Sequence, residues 1–99
     1  MNNIEKRTYH AIEWLKELIE IPSVSGNETE AADFLANILE KHIGEAHRIK
    51  NNVWCRYPHF DEQKPALLLN SHIDTVKPTE NWTKNPYKAY ISNGKLYGL

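Results

Sequence analysis

An uninterrupted apolar run, Ala66-Leu67-Leu68-Leu69, leads directly into the polar sequence Asn70-Ser71-His72-Ile73-Asp74. A short run with no polar residue to face solvent is typical of a strand that is covered on both faces, as in a mostly parallel sheet. Four residues are far too few to cross a bilayer. The run therefore predicts a buried strand, and it places the residues that follow at the C-terminal edge of a sheet.

Two amphipathic helices are predicted before this strand. Apolar residues recur at helical spacing from about Ile4 to Glu20, and Pro22 ends that pattern because proline disfavours helix in the residue before it. The sequence Ser25-Gly26-Asn27-Glu28 has the spacing of a capping box, so a second helix should follow it and run to about Ile43. Gly44 stands where a left-handed C-cap residue belongs.

Two-residue alternation replaces the helical period after Gly44. His47–Lys50 and Val53–Tyr57 are predicted as strands joined at Asn51-Asn52, and Asn93-Gly94 between apolar residues predicts a second hairpin. Helices followed by strands, with one buried strand, indicate an α/β domain of two helices and then a mostly parallel or mixed sheet. A chain of 99 residues is long enough for one small domain.

Composition excludes several function classes. The formal net charge is −1 and the basic residues are scattered, so no positive stripe is available to a nucleic acid. No apolar segment resembles a membrane span or a secretory signal. Cys55 is the only cysteine, which forbids an internal disulfide and suits a reducing compartment. A cytoplasmic protein is expected, with neither nucleic acid nor membrane as partner.

His72 and Asp74 are the candidate functional residues. Residues two apart in extended backbone point to the same side, so this imidazole and carboxylate can be neighbours. Open α/β sheets bind their ligands outside the carboxyl ends of their strands, and neutral histidine is a good ligand for zinc. The spacing alone leaves two interpretations open, a metal site and a structural hydrogen bond.

The longer context resembles the M20 metallopeptidase and amidohydrolase family. The segment Leu68–Pro78 is similar to that family's first metal-binding segment, with an apolar strand, His-x-Asp, a valine and a proline. Leu18–Gly26, Trp82 with Pro86-Tyr87, and Gly94–Gly98 resemble three further family motifs in the same order. The resemblance covers nearly the whole chain, and it is nearest to acetylornithine deacetylases and related N-acyl amino-acid deacylases. Asn70-Ser71 and Lys77 depart from the usual pattern.

The resemblance implies roles for two residues. His72 would be a metal ligand, and Asp74 would be the catalytic carboxylate that orients the site. It also implies two divalent metal ions, usually zinc and sometimes cobalt, and a small N-acyl amino acid or short peptide as substrate. It implies further that the full-length protein can form a homodimer, since the family often dimerises through a separate inserted domain. Dipeptidases and carboxypeptidases of the family are the alternative within this class, and a non-catalytic binding domain is the alternative outside it.

The metal centre expected from the resemblance is incomplete in this sequence. The family's bridging aspartate, its Glu-Glu pair and its later ligands have no counterpart among residues 1–99. A catalytic zinc usually needs three protein ligands. Residues 1–99 are therefore expected to be the N-terminal portion of an M20-type catalytic domain, a truncated piece that is inactive alone.

Overall fold

The computed structural model describes all residues, Met1–Leu99, as two helices followed by two hairpins. The elements are α1 (Asn3–Ile19), α2 (Thr29–His42), β1 (Ala46–Ile49), β2 (Asn52–Cys55), β3 (Tyr90–Ser92) and β4 (Lys95–Tyr97). Each pair of strands forms its own antiparallel two-stranded sheet. The α/β composition and both helices agree with the prediction. The mostly parallel or mixed sheet is not found, and one isolated parallel bridge joins Val24 to Thr75.

Helix α1 begins at a capping box that the sequence analysis did not identify. The Asn2 side chain accepts from the Glu5 amide, and the Glu5 carboxylate accepts from the Asn2 amide. These two bonds satisfy amide groups that have no partner within the helix. None of the residues of α1 is buried. Its contact with α2 includes Trp14 and His42, whose ring centroids lie 4.9 Å apart.

Helix α2 packs on the β1–β2 hairpin, and this layer contains the core of the molecule. Ala31 and Ala32 are the fully buried apolar residues. Arg48 of β1 forms an ion pair with Asp33 of α2 and donates to the carbonyl oxygens of Lys50 and Thr29. The hairpin is held to the helix by this polar network as well as by apolar contact.

The predicted buried strand at 66–69 is not formed. Leu67, Leu68 and Leu69 are 85%, 83% and 85% exposed, and no strand pairs with them. An apolar run shows that a segment can be buried, but burial also needs neighbouring strands and a covering layer. Neither lies beside this segment within residues 1–99, so it forms no hydrogen-bond ladder with another strand.

The predictions for the two ends of α2 were also wrong. Ser25 does not cap the helix: the N-cap residue is Glu28, and it makes no side-chain cap bond. Gly44 is not in the left-handed region, since the positive-φ glycines are Gly26 and Gly94. Gly44 is instead close-packed, because a Cβ there would lie 3.0 Å from the Arg56 carbonyl oxygen.

The hairpins were predicted more accurately. Asn93 and Gly94 have φ values of 51° and 73°, which is the geometry of a type I′ turn between β3 and β4. In the first hairpin Ile49 pairs with Asn52, so the turn is Lys50-Asn51, one residue earlier than predicted. No helix is both long enough and apolar enough to cross a membrane.

Candidate metal centre

The site is built where two distant segments lie side by side. The Thr75 amide donates to the Ser23 carbonyl at 2.8 Å, and the Ser25 amide donates to the Thr75 carbonyl at 3.2 Å. Ser23, which is 3% exposed, also donates its hydroxyl to the Ile73 carbonyl at 2.9 Å. These bonds hold the backbone on both sides of Asp74, so its position is fixed from within the chain.

The structure brings His72 and Asp74 together, as their two-residue spacing predicts. Nδ1 of His72 lies 3.1 Å from Oδ1 of Asp74 and 2.9 Å from the Asp74 carbonyl oxygen. Both of these oxygens can only accept, so Nδ1 must carry the proton and donate. In the neutral ring Nε2 then carries the free lone pair, so Nε2 is the atom that a metal ion would bind.

The two side chains differ in exposure. His72 is 82% exposed, whereas Asp74 is 42% exposed. Both line an apolar pocket beneath α1 with Ile19 and Tyr87, and both line a larger cleft of mixed polarity between α2 and the first hairpin. The pair therefore lies between two cavities, and the imidazole is open to an incoming ligand.

Ser25 is the residue of this site that sequence reasoning missed. Its hydroxyl donates to Oδ2 of Asp74 at 2.5 Å, while Oδ1 faces His72. This hydroxyl, followed by His72, lowers the pKa of the Asp74 carboxyl below its ordinary value, and partial desolvation acts in the opposite direction. The capping-box spacing of Ser25 and Glu28 predicted a helix cap and not a bond to Asp74. The serines at 23 and 25, two residues apart, were the available sign of an extended segment.

The residues present fit one metal ligand and its orienting carboxylate. Imidazole and carboxylate are the donor types that zinc uses, and a ligand histidine almost always donates its other ring nitrogen to a carboxylate or carbonyl. No group of three or more histidine, cysteine, aspartate or glutamate side chains within residues 1–99 could hold an ion together. On its own the chain would supply only one position of such a centre, through His72.

Comparison with known proteins finds several relatives, although no protein-family model matches the chain. A succinyl-diaminopimelate desuccinylase of Orientia tsutsugamushi is 33% identical over 97 residues, covering 88% of this chain and 24% of its own length. An acetylornithine deacetylase of Buchnera aphidicola is 34% identical over 95 residues, covering 85% and 25%. A peptidase M20 domain-containing protein of Schizosaccharomyces pombe is 37% identical over 89 residues, covering 84% and 20%.

Other matched relatives are named as probable carboxypeptidases. The chain spans about a quarter or less of the length of the curated relatives it matches. The matched region nevertheless includes most of these 99 residues in each of the three relatives described above. The resemblance expected from the ordered motifs is thereby confirmed.

Proposed function

This chain belongs to the M20 peptidase family, and we propose that it contributes to a metal-dependent hydrolase of amide bonds. We propose further that residues 1–99 are the N-terminal portion of the catalytic domain. The observation that carries the proposal is the His72–Asp74 pair, in which Nδ1 is held by a carboxylate and Nε2 is free. The names of the relatives support the reaction class, since they describe deacylases and peptidases.

His72 would hold one of two divalent ions, with zinc favoured and cobalt as the alternative, through Nε2. When bound, such ions polarise the amide carbonyl and generate a nucleophile from water. The remaining contribution comes from Asp74, whose carboxylate keeps the Nδ1 proton in place and raises the basicity of the neutral ring as a ligand. Loss of an orienting carboxylate of this kind typically costs about 10–100-fold in metal affinity or activity.

The substrate class is proposed from the relatives together with the motif resemblance. An N-acyl amino acid is favoured, because a desuccinylase and a deacetylase cover most of the chain. A dipeptide or the C-terminal bond of a peptide is the second candidate, since other relatives are named as carboxypeptidases. We also propose a cytoplasmic location, which the single cysteine suits.

The test uses the protein encoded by the complete reading frame that contains these residues. Hydrolysis of N-acetylornithine, N-succinyl-diaminopimelate and a dipeptide is measured before and after chelation and after zinc is restored. We expect activity that chelation removes, and a His72→Ala variant whose zinc affinity falls by at least about 100-fold, the upper end for loss of a supporting group. The matched control is His59→Ala, an exposed histidine that pairs with Tyr57 and lies outside both cavities.

Two outcomes would contradict the proposal. Activity that is insensitive to chelation would remove the metal from the mechanism. Zinc affinity equal in His72→Ala and the wild type would favour the non-catalytic binding domain. The 99-residue chain is assayed in parallel, and it should be inactive because it offers one ligand position and not three.

A further inference from the structure

The Asp74 carboxylate is held by a different partner on each oxygen. The Ser25 hydroxyl donates to Oδ2, and the His72 ring donates to Oδ1. The last torsion of an aspartate is broad and roughly two-fold, so a carboxylate with one partner can rotate away from it. A donor on each oxygen limits that rotation. The carboxylate plane is therefore set jointly by Ser25 and His72.

The position of the Ser25 hydroxyl is itself fixed by local backbone structure. Val24 to Asn27 form a turn closed by the Asn27 amide and the Val24 carbonyl at 2.8 Å. Gly26 in this turn has φ of +93°, which side-chain-bearing residues rarely adopt. The Ser25 amide also pairs with Thr75, the residue that follows Asp74. Both the backbone and the hydroxyl of Ser25 are thus directed to the 73–75 segment.

We infer that Ser25 is a positioning residue that sets the tautomer of His72 through the Asp74 carboxylate. The inference deepens the proposed function, because it matters for catalysis only if His72 is a ligand. By keeping Oδ1 aligned with Nδ1, the Ser25 hydroxyl keeps the proton on Nδ1 and the lone pair on Nε2. The purely structural alternative is that this hydroxyl only joins two loops, with no effect on the ring.

The test measures the tautomer in the 99-residue chain, with metal and substrate absent. Nitrogen-15 NMR of the His72 ring, recorded where the imidazole is neutral, distinguishes Nδ1–H from Nε2–H. We expect Nδ1–H to dominate in the wild type. In Ser25→Ala the ratio of Nε2–H to Nδ1–H should rise about threefold to tenfold, as expected for losing support of a hydrogen bond to a charged group. The Asp74 carbonyl, which also accepts from Nδ1, limits the size of the change.

Conservative variants separate positioning from folding. Ser25→Thr keeps a hydroxyl and should restore the wild-type ratio, whereas Ser25→Cys keeps the size with a weak donor and should resemble Ser25→Ala. The matched control is Ser71→Ala, because Ser71 is exposed beside His72 and is not a hydrogen-bond partner of Asp74. Amide spectra of each variant report whether the fold is retained.

An unchanged ratio in folded Ser25→Ala and Ser25→Cys would overturn the inference. An equal rise in Ser71→Ala would do the same, since the effect would then not pass through the carboxylate. Loss of the fold in both Ser25→Ala and Ser25→Cys would assign Ser25 a structural role instead. None of these results depends on hydrolysis, so the proposed function can fail while this inference stands, and the reverse.

Discussion

Substitution of Leu68 by alanine tests whether the apolar segment is a surface feature of this chain. The Leu68 side chain is 83% exposed, so about one-sixth of its surface is removed from water. Full burial of a leucine side chain is worth roughly 1.5–3 kcal/mol, so one-sixth corresponds to about 0.3–0.5 kcal/mol. If the leucine lay in a buried strand, the same substitution would lower the free energy of unfolding by about 2–5 kcal/mol. The two expectations differ by more than the error of an unfolding measurement.

The assay is urea unfolding of the 99-residue chain, followed by far-ultraviolet circular dichroism. The matched comparison is Leu39→Ala, because Leu39 is half-buried on α2, the helix that packs on the first hairpin. We expect Leu39→Ala to lower the unfolding free energy by more than about 1 kcal/mol, between the exposed and buried limits. A loss of 2 kcal/mol or more in Leu68→Ala would refute the exposed placement.

Two further predictions concern Asp74 and the start of α1. The Ser25 hydroxyl and His72 lower the pKa of the Asp74 carboxyl. The contacts of the ionised carboxylate therefore stabilise the fold fully at pH values above the ordinary carboxyl pKa. This stabilisation is lost as the pH falls through the lowered pKa. Carbon-13 NMR titration of the Asp74 carboxyl should give a midpoint below the ordinary carboxyl pKa, and Ser25→Ala should raise that midpoint. An equal midpoint in Ser25→Ala and the wild type would contradict the role of the Ser25 hydroxyl in lowering the pKa. At the start of α1, Asn2→Ala should lower the stability of the helix by about 0.5–2 kcal/mol, because it removes the side-chain cap. The loss is measured as reduced helicity, and Glu5→Ala is the companion variant that removes the other half of the capping box.

Local signals predicted the structure best where the interacting residues are close in sequence. Both helices follow from their apolar spacing, and the Asn93-Gly94 turn follows from the two residues that tolerate positive φ. The same local logic failed at Ser25. Its spacing to Glu28 matches a capping box, but Ser25 does not cap α2, because Gly26 turns the chain at φ +93° and directs the serine to a segment about 50 residues away. A sequence window shows the spacing and cannot show the distant acceptor.

The apolar run at 66–69 failed for a different physical reason. Its composition predicts what the segment prefers, while a strand also requires a partner that supplies a hydrogen-bond ladder. No partner pairs with it here. The adjacency of His72 and Asp74, by contrast, needs only extended backbone over three residues, so the sequence was sufficient to predict it.

The two members of the candidate pair depend on different supports. Asp74 is flanked by backbone bonds to Ser23 and Ser25 and accepts a hydroxyl, so its place is determined by residues of this chain. His72 follows the exposed leucines and is held by Asp74 alone, through one ring nitrogen. The carboxylate is thus preorganised before any metal binds, and the imidazole inherits its orientation from it. Because the order of dependence runs from Ser25 to Asp74 to His72, a change at Ser25 should reach Nε2 of His72, the proposed ligand atom, without a direct contact.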